Sequence, residues 1–387
     1  MRILTQVYTL ERVGGIEIYT LEVGRELAAR GHDVHLVHGP ALLGPEAPTM
    51  RPDLEAAGIT LHGPHPFRSP TPVTALSAVR DALPSAALAA RLRPDVLWLQ
   101  RFEHVLWGQV VARRSGTPLV SHLHHALRGG PLVTLAARGV RRFIAVSEFM
   151  RQRWVDDGLP AGRIDVLHNA VPAAQYPVGG VPERDRARQA LGLPADVPIA
   201  LFYGRLEQDK GLRLALDAWD RTAGRRGAAH LVLAGEFPPT ADPALAPRVA
   251  DLVRTGQATL LPLQRDVVPL LHAADVVLFP SQLPESFGRV ALEGLITGRP
   301  VLATAVGGVP EILSGPLTEL LVPQTDVATF AERLVALLGW RERDPGLGAR
   351  CAAHAATHFS FPDHVDRLEE LLDRERRPRR DRSALPG

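Results

Sequence analysis

The chain has 387 residues, 45% of them hydrophobic and 5% aromatic, with a formal charge of +2. At roughly 150 residues per domain that length supports two hydrophobic cores, and the small charge with few aromatics argues against nucleic-acid binding. One cysteine, Cys351, excludes an internal disulfide, and neither a twenty-residue apolar span nor a basic-apolar leader is seen, so a soluble, cytoplasmic protein is expected.

In chain order, the first half alternates strand and helix patterns: MRILTQVY, IEIYTLEVGRELAARG, HDVHLVHG, and later DVLWLQ, PLVSHLHH, FIAVS and IDVLHNAV. Helices between short β-rich runs predict a parallel sheet. Gly14 and Gly15 end the first βα loop and open a helix at GGIE. A dinucleotide-binding turn would show G-x-G-x-x-G here and an acid after the second strand; TLERVGG and LVHG show neither, which removes the main support for a nicotinamide or flavin site. The strand beginning at Pro118 ends in SHLHH, where His122 and His124 share one face and His125 begins the loop. Such histidines either fill a core or reach a crevice. One strand face supplies at most two metal ligands, no acid or cysteine adjoins and no Asp-x-Asp occurs, so no metal is predicted. Arg128, Arg138, Arg141, Arg142, Arg151 and Arg153, with Phe143 and Trp154, form a basic stretch. It is read either as a solvated face or as a surface for anionic lipid or a phosphorylated acceptor.

Residues 173–198, rich in Pro, Gly and charge, read as a connection carrying a short helix. A second alternation follows through IALFYG, HLVLAGE, ATLLPL, DVVLFP, PVLAT and ELLVP, giving a second doubly wound domain over 199–358. Residues 359–373 form a helix expected to pack back toward the first domain, and 374–387 a basic tail expected to lack fixed structure.

Three loops of the second half carry chemistry. GRLEQDKG, 204–211, follows a strand and precedes a helix, and its Arg205 and Lys210 suit a diphosphate. Lys210 is the single lysine among 44 Lys plus Arg. A compact ammonium and a planar guanidinium are not interchangeable at a tight phosphate site, so the retained lysine points to function. PSQLPESFGRVALEG places Glu285 and Glu293 around a Phe-Gly turn. Ser286 reads as the N-cap of a helix whose inward stripe is Val290, Ala291, Gly294, Leu295 and Gly298, leaving Glu293 off that stripe. Arg289 either pairs with Glu293 on the surface, worth roughly 0.2–0.5 kcal/mol, or meets a phosphate at the helix N-terminus. GGVPE, 307–311, follows a strand, and its glycines permit φ > 0 and close backbone approach.

Taken together, VGGIE, RGHDV, VSHLHH, AVSEFM, HNAV, GRLEQDKG, AADVVLFPSQLPESFG, ALEG and TAVGGVPEIL resemble, in order, the motifs of family-four retaining glycosyltransferases of GT-B fold (glycosyl transferases group 1). The resemblance spans nearly the whole chain, and the two glutamates Glu285 and Glu293 are its most specific signal. It implies an α/β protein of two Rossmann-like domains facing across a deep crevice, with acceptor binding in 1–172 and nucleotide-sugar binding in 199–358. It implies that Glu293 binds the ribose hydroxyls, that Glu285 and the backbone of Phe287 and Gly288 hold the sugar, and that Arg205 and Lys210 hold the diphosphate. His124 would face the donor sugar and Gly15 would approach the diphosphate on closure. Ser286, Arg289, Val290, Gly307 and Gly308 join the donor side; Gly14, His122, His125 and Arg128 join the acceptor side. The usual Gly-x-Gly of the second domain reads AGEFPP, so Gly235 alone matches.

The resemblance implies metal-independent transfer of a hexosyl unit from a nucleoside diphosphate sugar, such as a UDP-sugar, to a hydroxyl acceptor, without a cofactor. The donor phosphate itself accepts the acceptor's proton. Two other readings share the motifs: a sugar-nucleotide 2-epimerase, and a catalytically silent glycan-binding subunit. The expected state is a monomer or homodimer, cytoplasmic or peripheral at the inner membrane leaflet.

Overall fold

A computed structural model of the protein describes residues 1–11, 14–42, 49–67, 75–126, 135, 137–225 and 227–376. The chain divides into two compact units, 1–168 with 362–387 and 169–361. Residues 173–198, expected as a connection, therefore cluster with the second unit.

The first unit holds a parallel sheet of seven strands in the order β3-β2-β1-β4-β5-β6-β7. They are β1 (Arg2–Val7), β2 (Asp33–His38), β3 (Thr60–His62), β4 (Val96–Leu99), β5 (Leu119–Leu123), β6 (Arg142–Ala145) and β7 (Ile164–Val166). Burial on both faces explains their continuous apolar runs; β4, VLWL, is buried throughout. The core gathers Ile3, Leu4, Leu27, Leu36, Trp98, Phe143 and Trp154, all 2% exposed or less. β3 had no counterpart in the sequence reading: three residues, none of them fully buried, give too short a pattern. The last helix, Phe361–Glu375, belongs to this unit from Pro362 onward. Tyr19 bonds His364 Nε2 at 2.9 Å, and Arg30 donates to Asp366 at 2.5 Å and Glu369 at 2.6 Å. Residues 377–387 of the expected tail lie outside the described residues.

The second unit holds six parallel strands in the order β10-β9-β8-β11-β12-β13: β8 (Ile199–Tyr203), β9 (His230–Ala234), β10 (Ala258–Leu261), β11 (Val276–Phe279), β12 (Val301–Thr304) and β13 (Leu321–Val322). Each of the six matches a β-rich run of the sequence. β8 pairs with β9 through Ile199↔His230 and with β11 through Val276↔Ala200. The order therefore reverses between β8 and β11, the place where open α/β sheets bind ligands at their carboxyl edge.

Candidate active site

Two charged loops leave the carboxyl ends of the adjacent strands β8 and β11. Backbone knits them together: Asp209 O accepts Gln282 N at 2.9 Å. Gly211, φ 82°, lies so close to Pro280 that a Cβ would stand 1.7 Å from the Pro280 carbonyl oxygen. Only glycine allows that approach. Across this seam Lys210 Nζ donates to Glu285 Oε1 at 2.7 Å, and Ser281 Oγ donates to the same oxygen at 2.6 Å. The Lys210 side chain is 31% exposed and that of Glu285 16%, so both stay within reach of a ligand.

A third loop, after β12, fixes Glu285 from behind. Gly307 has φ 57°, and a Cβ there would stand 2.1 Å from the Glu285 carbonyl oxygen; Gly308 N donates to that oxygen at 2.8 Å. Of the glycine pair only Gly307 uses the left-handed region, since Gly308 has φ −80°. The close approach predicted for these glycines is thus to the Glu285 backbone.

The helix of the glutamate motif starts later than expected, at Arg289, and ends at Ile296. Gly288, φ 115°, takes the N-cap position in place of Ser286. The chain turns there because Phe287 buries its ring, at 3% exposure, and a Cβ on Gly288 would come within 3.2 Å of Phe279. Val290 is half-buried. Glu293, expected off the buried stripe, is buried at 6% exposure. Three donors explain how a carboxylate survives there. Tyr203 OH donates to Oε2 at 2.7 Å, Arg289 Nε to Oε1 at 2.6 Å and Tyr176 OH to Oε1 at 3.3 Å. Burial, then the Glu293 charge, pushes the Tyr203 phenol well above its ordinary value. The Arg289 contact anticipated as a surface pair is therefore present as part of a buried network.

Arg205 is 64% exposed on its side chain and lies 2.9 Å from Glu207. Gly235, φ 146°, brings its backbone against Gly204, where a Cβ would meet the carbonyl oxygen at 1.9 Å. The second unit thus gathers Arg205, Lys210, Gly235, Glu285, Glu293 and Gly307 on one sheet edge. Sequence reasoning missed Tyr203, Tyr176 and Ser281. A usable signal was a phenol ending β8 directly before Gly204.

In the first unit the order reverses between β1 and β4. Gly14 caps and Gly15 opens the helix Gly15–Ala29, as the sequence indicated. Buried Glu17 accepts Arg101 Nη2 at 2.6 Å, Arg101 Nη1 lies 3.3 Å from Glu103 Oε1, and His125 Nε2 lies 3.0 Å from Glu103 Oε2. Burial alone would raise Glu103, but the hydrogen bond and charge of His125 hold it at about 2.

His122 and His124 do share a face, their rings stacked 4.1 Å apart. His122 is 0% exposed with neither ring nitrogen hydrogen-bonded, and burial pushes it well below the usual imidazole range. A sealed, neutral ring cannot touch an acceptor, which corrects that expectation. His124 accepts or donates one bond, Nε2 to Gln100 Oε1 at 3.0 Å, and burial lowers it likewise. His125 keeps a third of its side chain exposed. Arg128 lies outside the described residues. Phe143 and Trp154 are fully buried core, and Arg142, Arg151 and Arg153 pair with Asp165, Glu148 and Asp157. The aromatic half of the expected lipid surface is therefore not at the surface. Among the described residues no three His, Cys, Asp or Glu could hold a metal ion, and no helix is long and apolar enough to cross a membrane.

Comparison with known proteins matches residues 13–175 to the family described as Glycosyltransferase Family 4 and residues 197–339 to Glycosyl transferases group 1. The chain is 32% identical to a D-inositol 3-phosphate glycosyltransferase of Mycolicibacterium paratuberculosis, over 92% of this chain and 84% of that one. It is 31% identical to the protein of that name from Acidothermus cellulolyticus, over 89% and 81%. Among solved structures, Anabaena HepE in complex with UDP and glucose aligns at a TM-score of 0.78, with 20% identity over 96% of this chain and 99% of that one. A sucrose-phosphate synthase of Thermosynechococcus elongatus aligns at 0.74, with 20% identity over 97% and 99%.

Proposed function

This chain belongs to glycosyltransferase family 4, and from that premise we propose that it moves a hexosyl unit from a nucleoside diphosphate sugar to a hydroxyl acceptor with retained anomeric configuration. It is a GT-B glycosyltransferase of the group 1 type. The observation that carries the finer reading is the Lys210–Glu285 contact at 2.7 Å, set across the switch point of the second sheet by loops whose glycines admit no side chain.

The Lys210 ammonium has three donors, so it can bind diphosphate oxygens while still holding Glu285. Glu285, fixed through Gly307 and Gly308, offers its second oxygen to sugar hydroxyls. As the bond from the anomeric carbon to the phosphate oxygen breaks, charge grows on the diphosphate, and Lys210 with Arg205 stabilises it. A preorganised donor of this kind is worth roughly 10²–10³ in rate. The acceptor oxygen bonds to the same face of the anomeric carbon, and its proton passes to the departing phosphate oxygen. No general base or bound metal is assigned. Glu293 takes the ribose hydroxyls by exchanging its Arg289 and Tyr176 contacts on Oε1, while Tyr203 keeps Oε2 in place.

HepE was solved with UDP and glucose, which makes a UDP-hexose the first donor to try; the curated relatives make inositol 3-phosphate the first acceptor. The test incubates the purified protein with UDP-, GDP-, ADP- and dTDP-glucose and that acceptor, with and without EDTA. An α-linked product from an α-linked donor, formed at the same rate in EDTA, supports the reading. A β-linked product contradicts retention, and solvent deuterium entering the sugar without transfer would mark an epimerase.

A further inference from the structure

The opposite edge of the second sheet, where β8 and β11 begin, holds a cavity of about 560 Å³. That size lies within the roughly 300–1,000 Å³ common for small-molecule sites. Five arginines line it, Arg184, Arg188, Arg225, Arg341 and Arg343, against three carboxylates of which Asp275 is the buried one.

Asp275 is fully engaged. Its Oδ2 accepts Arg188 Nη2 and Ile199 N, each at 2.8 Å, and its Oδ1 accepts Arg341 Nε at 2.7 Å. One carboxylate therefore serves two guanidiniums. Arg188 spends its other donors on the Ala273, Ala195 and Val197 carbonyls, at 3.0, 2.6 and 2.9 Å, and acts as a clasp on the segment entering β8. Arg341 differs: its Nη2 is buried without a hydrogen-bond partner. Its guanidinium is braced over the Trp340 ring at 4.6 Å, and Trp340 Nε1 in turn donates to Asp275 O at 2.9 Å. Burying an N–H unpaired is unfavourable, so the brace holds this donor in place at a cost. Arg184 has its ion pair with adjacent, exposed Asp185 at 3.3 Å, and Arg225 reaches the Arg221 carbonyl at 3.4 Å, both weak attachments. Burial, then the charge of Arg341, pushes the neighbouring Arg299 down to about 10.

We propose that this cavity binds a small phosphate-bearing anion, at a site on the sheet edge opposite the Lys210–Glu285 loops. Guanidinium forks arriving from separate chain segments suit the several oxygens of a phosphate, which accept paired N–H bonds.

The test titrates inorganic pyrophosphate into the full chain carrying Lys210→Ala, which disables the diphosphate loop, and follows heat and melting temperature. Binding to one site per chain is expected there, weakened at least tenfold by adding Arg341→Gln or Arg184→Gln. Arg184 pairs with exposed Asp185 rather than with buried Asp275, so its variant keeps the test open if Arg341→Gln folds poorly. No binding in Lys210→Ala, or binding that both arginine variants leave unchanged, overturns the proposal. Because the readout is binding in a variant without donor chemistry, it fails or succeeds separately from the transferase reading.

Discussion

Replacing Lys210 by Arg keeps the charge and tests whether the one lysine of the chain is chemically required. The 2.7 Å contact to Glu285 is a single point contact from a compact ammonium, on a loop that Gly211 presses against Pro280 with no room for even a Cβ. A longer, planar fork cannot be accommodated by shifting that loop. Because Lys210 is 31% exposed, its ion pair contributes little to folding, on the order of 1 kcal/mol or less. The catalytic effect is larger: losing one preorganised cation at the departing diphosphate costs roughly 3–4 kcal/mol, or 10²–10³ in kcat. Lys210→Ala should show that loss fully, and Lys210→Arg should recover less than a tenth of the activity. The assay is release of nucleoside diphosphate under saturating donor, with melting temperature as the folding control. Wild-type kcat in Lys210→Arg would refute the argument from ammonium geometry, and wild-type kcat in Lys210→Ala would refute the phosphate role itself.

Glu293→Gln keeps shape and some hydrogen bonding but removes the charge that Tyr203 and Arg289 face, so donor KM should rise about tenfold or more, roughly one 1.4 kcal/mol step, with kcat changed less; an unchanged KM removes the ribose assignment. Gly307→Ala forces a side chain to within 2.1 Å of the Glu285 carbonyl at φ 57°. A strain of about 1–3 kcal/mol should lower the melting temperature and displace Glu285, cutting kcat; a variant as stable and active as wild type contradicts the packing described. Burial holds His104 and His364 down at about 4 in the folded chain, below the unfolded value of about 6.5. Their contribution to stability is therefore complete above pH about 6.5 and is lost as pH falls toward 4, on the order of 1 kcal/mol per pH unit for each. Melting curves between pH 7.5 and 5 should show that fall, and a midpoint independent of pH would count against neutral buried rings.

The alternation of β-rich runs and helices made both sheets legible, because parallel strands buried on both faces carry strong apolar signals. β3 escaped, being three residues long with none fully buried. Local chemistry was legible too: the lone Lys210, Glu285 at a strand's end and the glycines of three loops all stand on the second sheet's switch edge. What could not be read were partners distant in sequence. Glu293 is buried by Tyr203, 90 residues earlier, and by Tyr176, 117 residues earlier, so helix periodicity alone put it on the outside. Strand alternation placed His122 and His124 together, but the sealing of His122 depends on Tyr19, Trp98 and their neighbours, which no local pattern encodes. The helix start at Arg289 depended on Phe287 turning inward, which displaced Ser286 from the cap it suits by type.

Since Lys210 is the only lysine, reductive ¹³C-methylation places one side-chain label on the protein besides its amino terminus, and that label sits where the diphosphate is proposed to bind. Titrating the labelled protein with UDP, GDP, ADP and dTDP while recording the methyl resonance shows whether Lys210 meets the diphosphate. A saturable shift of the Lys210 signal is expected with at least one diphosphate and none with the matching nucleoside; a resonance unmoved by all four rules out a diphosphate at Lys210.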